Sequence, residues 1–143
     1  MGEQTLGDQS VMNMLKERDI LPTRQRCQIA RVLFEHNQHL SADEVLARVN
    51  SEKEIVSKAT VYNTLGLFAR KKLVREVIVD PQRIFYDTNT SYHHHFYNVD
   101  TGVIQDIGSD ELSIEALPVT PEGTEAVGVD VVIRIRNSEP ASH

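Results

Sequence analysis

The sequence lacks several features that mark common functional classes. It has a single cysteine, Cys27, in 143 residues, so neither an internal disulfide nor a cysteine-rich zinc site is expected, and a buried structural thiol is the favoured interpretation. No apolar run reaches the roughly eighteen residues that would predict a membrane-spanning helix. The first ten residues lack the basic and apolar segments of a secretory signal. These absences predict a cytoplasmic protein with no membrane partner.

The net charge of −6 is distributed unevenly along the chain. Residues 1–90 contain 13 basic and 12 acidic side chains, whereas residues 91–143 contain 2 basic and 9 acidic ones. This division predicts two modules with different partners. The acidic total does not exclude a nucleic-acid partner, because phosphate contact needs only a local basic surface.

The first half of the chain has the periodicity and caps of a helical domain. Apolar residues at helical spacing, together with polar caps, predict four helices: over residues 9–19, over 23–36, from Ser41 onwards and over 57–71. Ser41 and Glu44 form the capping box of the third. In the fourth, Val61, Leu65 and Phe68 fall on one face and predict a core stripe.

Two alternating segments, at 73–79 and 83–87, follow the helices and flank an Asp-Pro turn, which predicts a β-hairpin. Helices followed by a hairpin are the element order of a winged helix-turn-helix. The sequence therefore predicts such a domain over residues 1–88, with the fourth helix in the major groove and the hairpin as the wing.

The second half, residues 89–143, predicts a small domain that needs a partner. Its alternating segments predict three strands, at 95–100, 102–107 and 127–136. Three strands are marginal alone because an open sheet leaves unpaired edges. We therefore expect a dimerisation domain in an α+β protein, and a homodimer that places two recognition helices on a palindromic operator.

The histidine run at 92–95 (YHHH) is the strongest chemical signal. Neutral imidazole binds transition metals and haem iron, and in a strand His93 and His95 share a face while His94 points away. A polar linker is the alternative interpretation. Other candidate ligands are Asp87, Asp106 and His39, although for His39 alone a solvated loop histidine is favoured.

Polar side chains on the fourth helix are candidates for DNA contact, with an ordinary solvated helix face as the alternative. These side chains are Ser57, Lys58, Thr60, Tyr62 and Asn63. The candidate phosphate contacts are Arg24, Arg26 and Arg83, whose alternative is plain surface charge.

Several motifs, in order, resemble those of the Fur superfamily of metal-responsive repressors. They are 22–26 (PTRQR), 39–44 (HLSADE), 57–65 (SKATVYNTL) and 86–87 (YD) ahead of 92–95 (YHHH). Within the superfamily the chain is most similar to the iron response regulator branch, Irr. The segments behind that assignment are 93–98 (HHHFYN), 104–107 (IQDI), 121–123 (PEG) and 129–136 (VDVVIRIR).

The resemblance implies a regulatory metal site that joins the two domains. Its ligands would be His39, Asp87, His93, His95 and Asp106. Such a donor set suits Fe(II) or Mn(II), with zinc able to bind in vitro. The Irr branch also implies a response to haem, through His93, His94 and His95.

Two departures from the family pattern bear on cofactors. Asn98 and Thr101 stand where many relatives carry the first structural zinc cysteines, so no such zinc is expected. The chain also lacks the Cys-Pro haem motif of some Irr proteins, so haem binding would rest on the histidines.

The expected function is that of a repressor of iron and haem homeostasis genes that binds operators under low iron and is released by haem or oxidised metal. Three alternatives remain open at this point. They are a peroxide-sensing repressor with Fe(II) on His93 and His95, a small metalloenzyme, and a haem or metal carrier.

Overall fold

The computed structural model describes residues 7–35, 39–90, 93–108 and 110–139. The chain divides into two compact units, residues 1–90 and 91–143. Tyr92, which opens the histidine motif, and residue 36, the end of the predicted second helix, lie outside the described residues.

The first unit contains four helices and three strands. The helices are α1 (Asp8–Glu17), α2 (Arg24–Phe34), α3 (Ala42–Val49) and α4 (Lys58–Arg70), and the strands are β1 (His39–Ser41), β2 (Arg75–Asp80) and β3 (Arg83–Asp87). Thr23 and Ser57 cap α2 and α4 by accepting the N–H groups of Arg26 and Thr60, and the predicted capping box is present at α3. Among the described residues, no helix has both the length and the apolar character needed to cross a membrane.

One apolar core unites the helices of this unit. The predicted stripe of α4, formed by Val61, Leu65 and Phe68, is completely buried. Leu15 of α1 and Leu33 of α2 belong to the same cluster and are also completely buried. Burial of each such large side chain is worth about 1.5–3 kcal/mol, so this cluster fixes where α4 lies within the unit.

The hairpin that follows α4 is the predicted wing. Strands β2 and β3 pair antiparallel, with a bulge between Ile78 and Asp80, and β1 pairs with the other edge of β3, giving the order β1-β3-β2. Strand β1 was not predicted, because three residues are too few to show an alternating pattern. The first unit is therefore a winged helix-turn-helix, and the chain has the predicted α+β fold.

The second unit is a three-stranded sheet. Its strands are β4 (His94–Asn98), β5 (Ile104–Ile107) and β6 (Val132–Ile135), in the order β5-β4-β6. Strand β4 is antiparallel to β5 and parallel to β6. The predicted 127–136 strand is shortened to four residues, none of them buried, and Ile133 and Ile135 are 38% and 37% exposed.

Asn98 and Thr101 have a structural role in the turn between β4 and β5. The Asn98 side-chain oxygen accepts the N–H groups of Asp100 and Thr101 at 2.9 and 3.1 Å. The Thr101 hydroxyl accepts the N–H of Val103 at 3.2 Å. Side-chain acceptors of this kind hold a turn closed, because they satisfy backbone donors that no strand partner reaches.

Candidate metal centre and nucleic-acid interface

His39 and Asp87 form a pair in the first unit. The pairing of β1 with β3 sets these residues directly opposite one another, and His39 Nε2 lies 3.0 Å from Asp87 Oδ2. Asp87 Oδ1 accepts the N–H of Asn89 at 2.9 Å. The Asp87 side chain is only 3% exposed and that of His39 14%. The sequence context favoured a solvated loop histidine at position 39. His39 instead begins strand β1, where its side chain is largely buried.

His93, His95 and Asp106 form a second cluster, in the second unit. The antiparallel register sets His95 opposite Asp106. The Nε2 atoms of His93 and His95 each lie 3.3 Å from Asp106 Oδ1, and the two imidazole rings are 4.5 Å apart. His93 and His95 therefore share a face, as the strand periodicity predicts.

This cluster fits a divalent cation. Donors bound to one such ion at about 2.1 Å lie roughly 3.0–3.4 Å apart, and the measured separations between the carboxylate and the imidazole nitrogens fall in that interval. Both histidines are buried whereas the Asp106 side chain is 48% exposed. Nitrogen and carboxylate donors without a thiolate suit Fe(II) or Mn(II).

His94 points away from the cluster, as predicted. Its Nδ1 accepts the N–H of Val131 at 3.1 Å, which ties β4 to the segment entering β6. His94 and His93 also line a cavity of about 250 Å³, together with aliphatic side chains. Those aliphatic side chains are Ile107, Leu112, Ile114, Leu117 and Val129. Of the three predicted haem residues, His93 and His95 thus lie beside Asp106, and His93 and His94 line the cavity.

The predicted DNA-contact residues of α4 are mostly exposed. Ser57, Lys58, Tyr62 and Asn63 are exposed, while Thr60 is half-buried. The Ser57 hydroxyl donates to Thr60 Oγ1 at 2.9 Å and also accepts the Thr60 N–H, so Ser57 has a capping role as well. Lys58 Nζ lies 5.6 Å from the centre of the Tyr62 ring, a cation–π distance.

The three predicted phosphate contacts differ in their surroundings. Arg24 is exposed on α2. Arg83 is exposed on the wing, with its guanidinium 5.7 Å from the centre of the Phe85 ring. Arg26 instead donates to the carbonyl of Leu21 at 3.0 Å. Because that bond directs part of the guanidinium to the protein's own backbone, Arg26 is the weakest of the three candidates.

Two important polar side chains of this unit were not predicted. Asp43, in the first turn of α3, accepts a hydrogen bond from the Tyr62 hydroxyl at 2.8 Å. This contact raises the pKa of Tyr62, through the hydrogen bond first and then through burial and the carboxylate charge. Asn50, which ends α3, makes three hydrogen bonds across the helix-turn-helix turn. An asparagine just after a periodic helix is a turn signal that would have identified Asn50, whereas the Asp43 contact has no sequence signal.

The model of the ferric uptake regulator family matches residues 17–133. The chain belongs to the ferric uptake regulator family. Its sequence is 30% identical, over 99 residues, to the peroxide-responsive repressor PerR of Staphylococcus aureus. The aligned residues cover 69% of this chain and 67% of PerR.

Solved structures of this family share the fold. The ferric uptake regulator of Pseudomonas aeruginosa with manganese gives a TM-score of 0.68 at 24% identity, covering 89% of this chain and 97% of that one. The Francisella tularensis regulator with iron gives 0.66 at 20% identity, covering 81% and 90%.

Membership of the ferric uptake regulator family decides the class of protein. The chain is a metalloregulator of transcription and not an enzyme, which removes the metalloenzyme alternative. The narrower assignment to the Irr branch stays a prediction.

Proposed function

We propose that this Fur-family chain is a cytoplasmic homodimeric repressor of iron and haem homeostasis genes. Its affinity for palindromic operators would depend on Fe(II) or Mn(II) held by His39, Asp87, His93, His95 and Asp106. The observation that carries the proposal is the convergence of two buried imidazole nitrogens on one carboxylate oxygen of Asp106. Solved regulators with manganese and with iron support the choice of ion.

Each unit offers both imidazole and carboxylate donors to the proposed metal site. A bound divalent cation would supply the positive charge that lets three imidazoles and two carboxylates share one centre. His39 and Asp87 belong to the winged-helix unit, and the other three ligands belong to the second unit. Ligands drawn from both units would make the metal affinity depend on where the units place α4, and this differential affinity is what allosteric coupling requires.

The proposed DNA-binding surface is α4 with the wing. Lys58, Tyr62 and Asn63 present ammonium, hydroxyl and amide groups at the exposed surface of α4, which suits contact with phosphates and base edges. Arg24 and Arg83 would add phosphate contacts. The exposed Ile133 and Ile135 of β6 supply apolar surface for a second copy of the chain.

The ligand set is tested by matched carboxylate replacements. Asp106→Asn keeps the side-chain shape and removes the charge, and Asp110→Asn makes the same change at another exposed position of this unit. We expect Asp106→Asn to weaken Mn(II) binding, measured calorimetrically, by about tenfold or more, while Asp110→Asn retains wild-type affinity. Equal affinities in the two variants would contradict the metal assignment.

The contribution of the first unit is tested separately. Asp87→Asn should weaken Mn(II) binding to a similar degree and should also abolish the dependence of operator binding on Mn(II) in a mobility-shift assay. If Asp87→Asn binds Mn(II) as the wild type does, the metal site is confined to His93, His95 and Asp106. The proposal of ligands from both units would then be wrong.

Haem is a second candidate effector, favoured by the cavity beside the histidines. Its wall combines His93 and His94 with five aliphatic side chains, and a mixed imidazole and aliphatic surface suits a porphyrin edge and its iron. If haem is the effector, titrating haem into the operator complex of Mn(II)-loaded protein should release DNA. The His94→Ala variant, which keeps all five proposed metal ligands but loses a histidine of the cavity wall, should retain its operator complex when haem is added.

Peroxide sensing is the third candidate, and it is favoured by the similarity to PerR. In that case peroxide should abolish operator binding by the Fe(II)-loaded protein but not by the Mn(II)-loaded protein. Peptide mass spectrometry should then show one added oxygen atom at His93 or His95. Retention of operator binding by the Fe(II)-loaded protein after peroxide treatment, with no such mass change, would exclude this candidate.

A further inference from the structure

Tyr62 is held at two points on the exposed surface of α4. Its hydroxyl donates to Asp43 Oδ1 at 2.8 Å, across 19 positions of sequence. Its ring lies 5.6 Å from the ammonium of Lys58, one helical turn earlier. Although Tyr62 is 41% exposed, contacts from two helices fix the direction of its side chain. An exposed tyrosine without such contacts would sample several rotamers.

Asp43, which accepts the hydrogen bond of Tyr62, is an unusual group for a surface proposed to bind DNA. Asp43, Tyr62 and the wing residues Gln82 and Arg83 line one groove of about 520 Å³, and Asp43 is exposed there. A carboxylate beside a surface that meets phosphates lowers overall attraction for DNA. Asp43 is also not the cap of α3, because Ser41 and Glu44 form the capping box. The side chain of Asp43 thus accepts the Tyr62 hydroxyl, although its negative charge weakens the attraction for DNA.

We propose that Asp43 is a positioning residue for DNA recognition, which holds the Tyr62 ring in one orientation and thereby sets operator discrimination. The proposal rests on the proposed function of α4 as the recognition helix. A ring fixed in advance loses no rotamer freedom when it meets a base edge, whereas a free ring with three rotamers loses roughly a factor of three in affinity.

Removal of Asp43 should therefore act in opposite directions on specific and non-specific binding. Without its anchor, Tyr62 loses orientation and operator affinity falls. Without the carboxylate, attraction for any DNA of the same length rises slightly. The ratio of the two affinities should fall roughly threefold. Loss of α3 stability alone would weaken both kinds of binding together and leave the ratio unchanged.

The test compares two DNA probes by fluorescence anisotropy. One is a duplex selected from a random pool by the Mn(II)-loaded wild-type protein, and the other is a scrambled duplex of the same length and composition. The variants are Asp43→Ala, Tyr62→Phe and their combination, with Glu17→Gln on exposed α1 as a charge control. Each single replacement should lower discrimination, and the double variant should lower it no further. Asp43→Asn, whose amide oxygen still accepts the hydroxyl, should restore most of it.

Tyr62→Ala separates the proposal from the function on which it rests. If Tyr62→Ala lowers operator affinity but Asp43→Ala leaves discrimination intact, Asp43 has no positioning role and α4 remains the recognition helix. Additive effects of Asp43→Ala and Tyr62→Phe would equally overturn the positioning role. If Tyr62→Ala leaves operator affinity unchanged, Tyr62 does not contact the operator, and both the proposal and this part of the proposed interface are wrong.

Discussion

Replacement of Asn50 with alanine should loosen the turn of the helix-turn-helix. The Asn50 side chain donates to the Val56 carbonyl at 2.9 Å and accepts the N–H groups of Ile55 and Val56 at 2.9 and 3.1 Å. Val56 is 3% exposed, so its backbone groups would lose partners that water replaces poorly. The turn links α3 to α4, and the position of the recognition helix depends on it.

The magnitude follows from those three bonds. Each contributes about 1 kcal/mol net, and because Asn50 is only half-buried we expect a total loss of about 2–3 kcal/mol. Unfolding by urea, at one fixed protein concentration, would measure this loss as a lower midpoint with an unchanged slope. A thermal scan should show the melting temperature lowered by roughly 5–10 °C.

Two matched variants make this prediction specific. Asn50→Asp keeps both accepted bonds and loses the donated one, so it should cost about 1 kcal/mol. Asn13→Ala removes an exposed amide of α1 whose partner is the Gln9 side chain, and should cost less than about 0.5 kcal/mol. If Asn50→Ala proves no more destabilising than Asn13→Ala, the side chain does not hold the turn and the argument fails.

Three further predictions concern single side chains of the first unit. Phe68→Ala, at a completely buried position, should lower the free energy of unfolding by about 3–5 kcal/mol in urea titrations, and a loss below about 1 kcal/mol would contradict the assigned core. Burial raises the pKa of the Cys27 thiol, so at pH 8 a disulfide reagent should modify it more slowly in the native than in the urea-unfolded protein. Because Asp43 raises the pKa of Tyr62, the stability that this hydroxyl contributes should be complete below the pKa of unfolded tyrosine and lost as the pH rises through its folded value. Ultraviolet titration of Asp43→Ala should show one tyrosine ionising at lower pH than in the wild type, and identical titration curves would contradict the contact.

The helices and the wing were predictable because their signals are local. The caps at Thr23, Ser41 and Ser57 satisfy N–H groups only three positions away, and the α4 stripe repeats every helical turn. Strand β1 was missed because three residues show no periodicity. The strand predicted over 127–136 was too long. An alternating pattern shows which residues could form a strand, but not how many of them find backbone hydrogen-bond partners on the neighbouring strand β4.

The candidate ligands were predictable as residue types but not as pairs. The orientation of His93 and His95 follows from strand alternation. The pairings of His39 with Asp87 and of His95 with Asp106 depend on strand register, which joins positions distant in sequence. The same is true of Tyr62 and Asp43, which lie on different helices. No local spacing records such contacts.

The sequence by itself determined the four helices and the wing of the first unit, the division of charge and, through its ordered motifs, the family. Each of these depends on interactions within a few residues or on residue identity alone. The tertiary structure alone decided that His39 faces a buried carboxylate, that Arg26 bonds to its own backbone and that Asn50 holds the turn. The physical reason is that hydrogen bonds and ion pairs require positions within a few ångströms of one another, and only the packing of the core and the register of the strands determine those positions.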